Sequence, residues 1–571
     1  MEKSNKSVLG ASIGNCVHVA GVYHFLQLAE KEGYKCHFLG PAVSIDRLFG
    51  EIERLEPTIV GISYRLTPEN VIPLLEEIKE RAKNLSYKPI WDFGGTKPVA
   101  DIAKTYDMFD YISDGYDDIN DNIRFLRGEH IEGDAESYGS SLVSRIAKSY
   151  PYPILRHHFG LPSLDETVEG VQKISEAKVL DVISLGTDQN AQQFLFNQKC
   201  MLKELDGAGG VPIRSKDDLT RLKEASRCGN FPLMRCYSGT ADVLNYAELL
   251  AESIDNAWAA VPLSWYNELD GRGSRPIEVS VKEAQDVIRW HAEKNIPVEI
   301  NEPHHWGLRD SHDVIPVAMA YIAAYNAKKL GVRNYISQYM FNNPNGLSFS
   351  MDLAKMLAMR DMVESLVDDG FNVYRETRAG LPLFNADPSV AKGQLATSTF
   401  MQMSLKPHII HVVGYCEADH AAGPEEVIES CKIVRGVIRH TLGESFCIEK
   451  SPEIEKRRRE LVDEARFLID YIIRTYSYAS DDPLSEPFVL ADMIKRGYVD
   501  AVHIVKNDKF RGTLRTALVD GKCVAINPET GQPIDERTRL SALGQPGADD
   551  VHVENASLCR TERTSDLVSV I

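Results

Sequence analysis

The chain has 571 residues, which is enough for about four domains of ordinary size, or fewer if one is a large barrel. Its 64 basic and 83 acidic residues give a net charge of −19, which argues against non-specific binding to nucleic acid or to an anionic membrane surface. The N-terminal residues lack the apolar core of a signal peptide and the chain has no apolar run of about 18 residues, so we expect a cytoplasmic protein that crosses no membrane.

The N-terminal part of the chain alternates apolar strands with amphipathic helices. Strands are predicted at residues 8–13, 35–39, 58–63, 89–92 and 111–113, and helices at residues 19–32, 44–55 and 69–84. This spacing predicts a doubly wound parallel sheet, which we place in a first domain of residues 1–130. Ligands on such sheets bind at the carboxyl ends of the strands.

Three loops at these carboxyl ends carry candidate binding residues. They are His18 and Gly21 after the first strand, Ser63 and Thr67 after the third, and Gly94 and Gly95 after the fourth. Taken singly the signals are weak, because a lone histidine is more often structural than a metal ligand and a glycine pair is usually a turn. The phosphate-binding motif GxGxxG is absent from this part of the sequence, which weakens a nicotinamide or flavin interpretation.

Together, in this order and spacing, the loops resemble the cobalamin-binding domain of coenzyme-dependent mutases and methionine synthase. That family carries DxHxxG after strand one, SxLxT after strand three and GG after strand four. The resemblance implies that His18 is the lower ligand of cobalt and that the other loop residues hold the nucleotide tail of the cofactor. Two positions depart from the family: Cys16 stands where an Asp orients the histidine, and Arg65 stands where a Leu follows the serine. What orients His18 therefore stays open.

The rest of the chain predicts a barrel between two smaller regions. Residues 131–176 have no clear period and are predicted to be a linker with short helices. Eight strand-like runs follow, at residues 179–187, 210–213, 232–239, 257–265, 296–302, 332–341, 372–379 and 408–415. Eight strand–helix repeats predict a (β/α)8 barrel over residues 177–445, with its active site at the carboxyl mouth. Residues 446–571 are predicted to be a small α/β appendage with a long helix to about residue 475 and strands at 501–505 and 522–526.

The barrel resembles the large subunit of glutamate mutase (methylaspartate mutase). The segments that carry this resemblance surround Arg235 and Gly239, residues 263–267, residues 298–303 and Glu417. In that family the cobalamin domain is a separate subunit, whereas here it is fused at the N-terminus. The resemblance implies that the flat corrin face caps the barrel mouth.

The resemblance also supplies candidate substrate residues. Arg214 and Arg235 are expected to bind the substrate carboxylate, with Tyr266, Glu302 and Glu417 nearby and His304 facing the cofactor. The family's third arginine falls near residues 189–190, its ammonium-binding Glu near 259 and its Lys near 413–414, and none of these residue types occurs there. We therefore expect a small carboxylic or amino acid substrate other than glutamate. Arg375 and Arg378 have a plainer interpretation as salt bridges on the rim.

The leading hypothesis is an adenosylcobalamin-dependent carbon-skeleton mutase, an isomerase. The resemblance implies homolysis of the cobalt–carbon bond, removal of a substrate hydrogen by the resulting radical, rearrangement and return of the hydrogen. A corrinoid methyltransferase and a non-catalytic cobalamin sensor are the alternatives. The expected partner is a small acid, with no nucleic acid and no membrane. A homodimer, the substrate's identity and the upper cobalt ligand are left open.

Overall fold

The structure is a computed structural model that describes residues 6–115, 119–129, 135–237, 239–442, 447–504, 510 and 512–544. Its first domain contains strands β1 (Ser7–Ser12), β2 (Lys35–Phe38), β3 (Ile59–Tyr64), β4 (Ile90–Gly95) and β5 (Tyr111–Ser113). The helices are α1 (Ala20–Lys31), α2 (Ile45–Leu55), α3 (Ile72–Ala82), α4 (Lys97–Ala103) and α5 (Ile119–Arg127). The five strands are parallel and lie in the order β2-β1-β3-β4-β5, so the predicted doubly wound sheet is confirmed.

The strand order of this sheet decides where a ligand can bind. Every residue of β3 is buried, as expected for a central strand covered by helices on both faces. β2 lies on one side of β1, and β3, β4 and β5 follow on the other side. The chain therefore changes the direction in which it adds strands to the sheet between β1 and β3. A crevice opens at the carboxyl ends of the strands at such a reversal, next to the loops predicted to bind the cofactor.

A second sheet of eight parallel strands forms the barrel. Its strands are β6 (Ile154–Phe159), β7 (Val182–Leu185), β8 (Leu233–Cys236), β9 (Ala259–Val261), β10 (Val298–Ile300), β11 (Asn334–Phe341), β12 (Asn372–Ala379) and β13 (Ile409–Val412). The helices from the first domain through the barrel are α6 (Ala135–Tyr138), α7 (Leu142–Ser149), α8 (Leu164–Glu176), α9 (Gln189–Phe194), α10 (Lys216–Ala225), α11 (Val243–Ile254), α12 (Ile277–Glu293), α13 (Pro303–Gly307), α14 (Val314–Lys329), α15 (Phe349–Glu364), α16 (Pro388–Gln402) and α17 (Pro424–Thr441). The predicted barrel class is confirmed.

The barrel is nearly closed. The sheet runs in the order β8-β7-β6-β13-β12-β11-β10-β9, so β8 and β9 are its two ends. The N–H of Ala257, just before β9, donates to the carbonyl of Met234 in β8 over 2.9 Å. This backbone hydrogen bond brings the two ends together, and the described residues show no ladder between β8 and β9.

The first strand of the barrel corrects the prediction. β6 lies within residues 131–176, where the sequence predicts a linker. Arg156 and His158 lie two residues apart on β6 and point into the barrel, where Arg156 forms an ion pair with Glu376. These polar residues interrupt the apolar run that would indicate a strand. A polar barrel interior therefore removed the signal on which the strand prediction depends.

The predicted strand at residues 210–213 is wrong. The backbone of this segment pairs with the sheet at an isolated bridge between Thr187 and Val211 and forms no strand, although Val211 and Ile213 pack in the apolar core beside β7. It approaches the backbone after β7 so closely that a Cβ on Gly210 would lie 2.0 Å from the carbonyl oxygen of Gly186. The segment is therefore extended chain that lies against the backbone after β7. β6 replaces it as one of the eight strands of the barrel.

Apolar side chains fill the amino end of the barrel, a cluster that we call the plug. It contains Ile154, Val182, Leu233, Trp258, Ile336 and Ile409 from the strand region and Leu142 and Ile146 from α7. All of these residues are buried. Because close-packed apolar side chains leave no space for a solute, a substrate can enter the barrel only through the carboxyl end.

The C-terminal region packs on the outside of the barrel. Its elements are α18 (Pro452–Tyr476), α19 (Pro487–Lys495), β14 (Thr516–Val519), β15 (Lys522–Ala525) and α20 (Glu536–Leu543). Helix α18 packs on α14 and α15, and its Leu461 and Leu468 belong to the same apolar core. The predicted long helix and second strand are confirmed, and β15 pairs antiparallel with β14. Residues 501–504 form no strand, and residue 505 lies outside the described residues.

Some predictions fall on residues that the structure does not describe. The domain boundaries predicted at residues 130–131 and 445–446 are among them, as are residues 545–571 of the predicted appendage. Within the described ranges, no helix is both long and apolar enough to cross a membrane.

Candidate functional site

A cavity of about 1080 Å³ opens at the carboxyl ends of β1, β3, β4 and β5. The predicted cofactor residues that line it are His18, Gly21, Ser63, Gly94 and Gly95. Thr67 is not part of its lining, and His304 lies in the barrel instead. The three predicted loops therefore do converge on one cavity.

The loop after β1 holds His18 through a thiol. Nδ1 of His18 lies 3.8 Å from Sγ of Cys16, which is fully buried. The same sulfur accepts the backbone N–H of Arg65 over 3.3 Å, and this bond fixes its position. Within the described residues, Nε2 of His18 has no hydrogen-bond partner. The contact with Cys16 thus orients the ring through Nδ1 and leaves Nε2 for a ligand.

The walls of the cavity have space that the protein's own packing does not use. A Cβ on Gly21 would meet no atom within 4 Å, and a Cβ on Gly94 would meet only Cβ of Ser63, at 3.9 Å. The hydroxyl oxygen of Ser63 is buried without a hydrogen-bond partner among the described residues. Glycines that no neighbour requires, beside an unpaired hydroxyl, fit a site that takes a large polar ligand such as a nucleotide tail.

The barrel supplies one wall of this cavity, from its amino end. That wall contains Tyr152, just before β6, and Arg439, His440 and Leu442 at the end of α17. Nζ of Lys31 in α1 donates to the carbonyl of Leu442 over 2.6 Å. The expectation that the corrin caps the barrel mouth is therefore not met in this arrangement, because the cavity borders the plugged end.

Arg127 fixes this arrangement of the first domain against the barrel. Its guanidinium pairs with Glu32, with Nε 2.9 Å from Oε2. It also donates to the carbonyls of Lys148 and Tyr150, over 2.6 and 3.1 Å, in the segment that leads into β6. These contacts bind the end of α1 and α5 to the amino side of the barrel.

A set of buried polar side chains crosses the barrel above the plug, and we call it the middle layer. Its members are Arg156, Arg235, Glu299, Gln338 and Glu376. Nη2 of Arg156 lies 2.7 Å from Oε1 of Glu376, and Nη2 of Arg235 lies 3.1 Å from Oε2 of Glu299. Nε2 of Gln338 donates to both carboxylates over 3.0 Å. Two cations and two anions balance one another within this layer.

The two ion pairs of the middle layer differ in character. Burial raises the pKa of Glu376, but the charge and hydrogen bonds of Arg156 outweigh it and lower that pKa overall. Burial raises the pKa of Glu299 and lowers the pKa of Arg235. Nε and Nη1 of Arg235 also have no hydrogen-bond partner among the described residues. The pair of Arg235 is therefore the less satisfied one.

Further along the strands lies the mouth layer, which we define as His158, Tyr237, His304 and Arg378. Nε2 of His158 is 3.0 Å from Nη1 of Arg156 and 3.1 Å from the hydroxyl of Tyr237. Burial and the nearby arginines hold the pKa values of His158 and His304 well below their usual range. Both imidazoles are therefore neutral near pH 7 and can accept or donate one hydrogen bond each.

The predicted substrate residues have different surroundings. Arg214 lies beside α9 and is already bound by Asp188 and Asp206, each over 2.6 Å. Arg235 lies inside the middle layer. A free clamp for a substrate carboxylate is therefore not formed by these two arginines, which do not lie in one place.

Tyr266, Glu302 and Glu417 lie at the carboxyl ends of their strands. Tyr266 has a left-handed backbone (φ 64°) and the guanidinium of Arg272 lies 4.7 Å above its ring. Glu302 is buried, accepts from the backbone N–H of Ser264 over 3.0 Å, and has a pKa raised by burial to about 7. Oε1 of Glu417 is 3.4 Å from Nε2 of His157. Tyr266 and Glu417 are placed where they can line a substrate site, whereas Glu302 is enclosed and its other oxygen accepts from the indole N–H of Trp306 over 2.8 Å.

Sequence reasoning missed part of the polar interior. Arg156 and His158 fall within the predicted linker, although their spacing of two residues is typical of one face of a strand. Of the two arginines interpreted as rim salt bridges, Arg375 is one, with Nη1 2.6 Å from Oε1 of Glu364. Arg378 is not, because no carboxylate oxygen among the described residues lies within 4.0 Å of it.

Comparison with known proteins gives one family match. Residues 6–119 match the B12 binding domain family. No curated protein matches the chain. Two solved structures overlap with it loosely: type I 3-dehydroquinate dehydratase from Clostridium difficile (9% identity, 51% of this chain and 94% of that one, TM-score 0.23) and the cobalamin-dependent S-adenosylmethionine radical enzyme OxsB (11%, 76% and 56%, TM-score 0.17). At these TM-scores neither structure defines the fold of this chain.

The fold and the family match define the class of this protein. It is an α/β protein in which an N-terminal B12-binding domain precedes a nearly closed parallel barrel of eight strands. The domain match and the cavity that contains His18 support a cobalamin cofactor. The resemblance of the barrel to glutamate mutase stays a prediction.

Proposed function

We propose that this protein is an adenosylcobalamin-dependent mutase that acts on a small carboxylic or amino acid other than glutamate. The observation that carries the proposal is His18, which presents Nε2 to a cavity of a B12-binding domain and is held from behind by Cys16. When bound, adenosylcobalamin supplies the carbon radical that such rearrangements need. A barrel with one sealed end is a suitable container for that chemistry.

The barrel residues have three roles in this proposal. The plug closes the amino end and excludes water from below. The middle layer holds the polar groups above it in fixed positions through ion pairs and the amide of Gln338. Tyr266 and Glu417 line the mouth and contact the substrate, and the buried Glu302 holds the loop after β9 through the N–H of Ser264. Arg235 is a positioning residue in this scheme, since it is enclosed by Glu299 and Trp258.

The reaction requires the cofactor and the mouth to meet. In the described arrangement the cavity borders the amino end of the barrel, and the mouth is at the other end. The proposal therefore requires that the B12-binding domain of the same chain, or of a second copy, faces the mouth during turnover. This requirement separates the proposed mutase from a protein that only binds cobalamin.

The test is deuterium exchange. The protein is incubated with adenosylcobalamin deuterated at the 5′ carbon and a series of small carboxylic and amino acids, and each acid is examined by mass spectrometry. We expect deuterium in one acid, little in glutamate, and none with His18→Ala. His503→Ala is the control, because His503 is exposed and, within the part of the chain that the structure describes, its side chain forms an ion pair with Asp310 on the surface. Methyl transfer from methylcobalamin to a thiol, without exchange, would favour the methyltransferase instead.

A cobalamin sensor is the second candidate, and one observation favours it. The cavity lies beside α17 and the entry to β6, so a ligand there contacts the first domain and the barrel at once. Binding could then alter how the two parts are joined. A change in small-angle scattering on cobalamin binding, with no exchange into any acid, would support the sensor.

A further inference from the structure

We propose that the barrel mouth binds the carboxylate of a monocarboxylic acid through Arg378. This inference deepens the proposed function and takes its catalytic meaning from it, but the binding itself can be measured without cobalamin. The site lies on β12, away from the positions of Arg214 and Arg235 to which the resemblance assigns the substrate carboxylate.

The first argument is that Arg378 is short of a counter-ion. Its only hydrogen bond among the described residues is from Nε to the carbonyl of Ala379, over 3.3 Å. No carboxylate oxygen of the described part lies within 4.0 Å, and burial lowers the pKa of this guanidinium. A partly buried arginine without a carboxylate is costly for the protein alone, and a bound carboxylate removes that cost.

The second argument is the charge balance below Arg378. Glu376, two residues earlier on β12, points the same way but is bound by Arg156 and Gln338. The middle layer has no carboxylate left to offer, since Glu299 is likewise bound by Arg235. Glu417 also acts on Arg378 through its charge, but it makes no contact within 4.0 Å, and its Oε1 lies 3.4 Å from Nε2 of His157. Contact with the guanidinium of Arg378 is therefore left to a carboxylate that enters the mouth. One free cation in the mouth layer suits a single carboxylate better than two.

The third argument is that neutral polar groups surround this cation. Nδ1 of His304 is buried without a hydrogen-bond partner among the described residues, and Arg378 contributes to the lowering of its pKa. Burial lowers the pKa of His158, and the charges of Arg156, Arg235 and then Arg378 lower it further. Nε2 of His158 is already engaged by Arg156 and Tyr237, whereas Nδ1 of His304 has no partner among the described residues and can hydrogen-bond a ligand that reaches Arg378.

The binding experiment uses the full chain without cobalamin and simple probes. Butanoate, hexanoate and phenylacetate are titrated by saturation-transfer NMR, beside butylamine and succinate. We expect at least one monocarboxylate to bind, butylamine not to bind, and succinate to bind about tenfold more weakly than butanoate. Arg378→Gln should weaken monocarboxylate binding by about 10- to 100-fold, the value of a charge-assisted hydrogen bond.

Arg375→Gln is the matched control, since Arg375 lies on the same strand but is paired with Glu364 on the surface. It should leave monocarboxylate binding unchanged. Binding that survives Arg378→Gln, succinate that binds as tightly as butanoate, or no binding of any monocarboxylate would each overturn the proposal.

A second measurement does not depend on the folding of a variant. An arginine without a carboxylate partner reacts with phenylglyoxal faster than a paired one, and mass spectrometry locates the adduct. In the wild-type chain we expect residue 378 to react before Arg156, and butanoate to slow its modification. Modification of Arg378 that butanoate does not slow contradicts the proposal. If butanoate binds but no acid exchanges deuterium, the mutase proposal fails and this one stands.

Discussion

Replacing Glu299 by Gln tests whether the middle layer is held by charge balance. The substitution keeps an oxygen for the indole N–H of Trp258, which donates to Oε2 over 2.8 Å, but it removes the negative charge and replaces the oxygen that accepts from Gln338 by an NH2 group. Arg235 then stays buried with no carboxylate in contact. At 3.1 Å the attraction between the two charges is about 5 kcal/mol for an effective dielectric constant near 20, so its loss is substantial.

The expected cost is smaller than this attraction because the pair also loses hydration when it is buried. Breaking a buried pair by removing one partner costs about 3–5 kcal/mol, and we expect a loss of this size in the free energy of unfolding of the barrel. Glu364→Gln is the matched control. It breaks the surface pair with Arg375, which should cost no more than about 1 kcal/mol.

The assay is urea unfolding followed by hydrogen exchange at the amides of β8 and β10, which isolates the barrel from the other parts of the chain. Adding Arg235→Met to Glu299→Gln removes both charges and should restore at least about 2 kcal/mol. A loss with Glu299→Gln no greater than that with Glu364→Gln, or no recovery in the double variant, would refute the reasoning.

Three other predictions concern the cavity and one buried carboxyl. Cys16→Ala should weaken cobalamin binding by about 10- to 100-fold and broaden the nitrogen coupling of His18 in electron paramagnetic resonance, because the ring loses its contact at Nδ1; equilibrium dialysis measures the affinity. Gly94→Val should abolish cobalamin binding while urea unfolding stays within about 0.5 kcal/mol, because a Cβ there meets only Ser63 at 3.9 Å; equal losses of both would contradict it. Glu302, with its pKa raised to about 7, holds its proton more tightly in the folded state than in the unfolded one. Folding stability should therefore fall by up to about 1.4 kcal/mol per pH unit between about pH 4.5 and 7, and Glu302→Gln should remove that slope in urea titrations.

The first domain could be predicted from the sequence because its signals are local. The central strands β1 and β3 are short apolar runs, and each binding loop follows its strand within a few residues. The role of Cys16 was also accessible, since it lies two residues from His18 on the same loop. The hydrogen bond from the backbone N–H of Arg65 to Cys16 could not be predicted from the sequence, because 49 residues separate the two.

The barrel was harder because its interior is polar. β6 contains Arg156 and His158 at positions where the prediction expects apolar side chains, so the strand was not recognised. The partners of the inward charges lie far away in sequence: Glu376 is 220 residues from Arg156, and Glu299 is 64 residues from Arg235. A single sequence shows which residues are charged but not which of them form ion pairs with one another. For that reason it could not distinguish an arginine bound by a carboxylate, such as Arg235, from Arg378, which has no carboxylate within 4.0 Å among the described residues.

The plug determines what each proposed function requires. Because apolar side chains fill the amino end, a group held at His18 cannot act on the mouth through the barrel. A mutase must therefore bring the B12-binding domain around the outside, against the contacts of Arg127 and Lys31, or use the domain of a second chain. A sensor needs no such step, since its cavity already joins the two parts. Deuterium exchange that rises with protein concentration would indicate the second chain, and exchange independent of concentration would indicate movement within one.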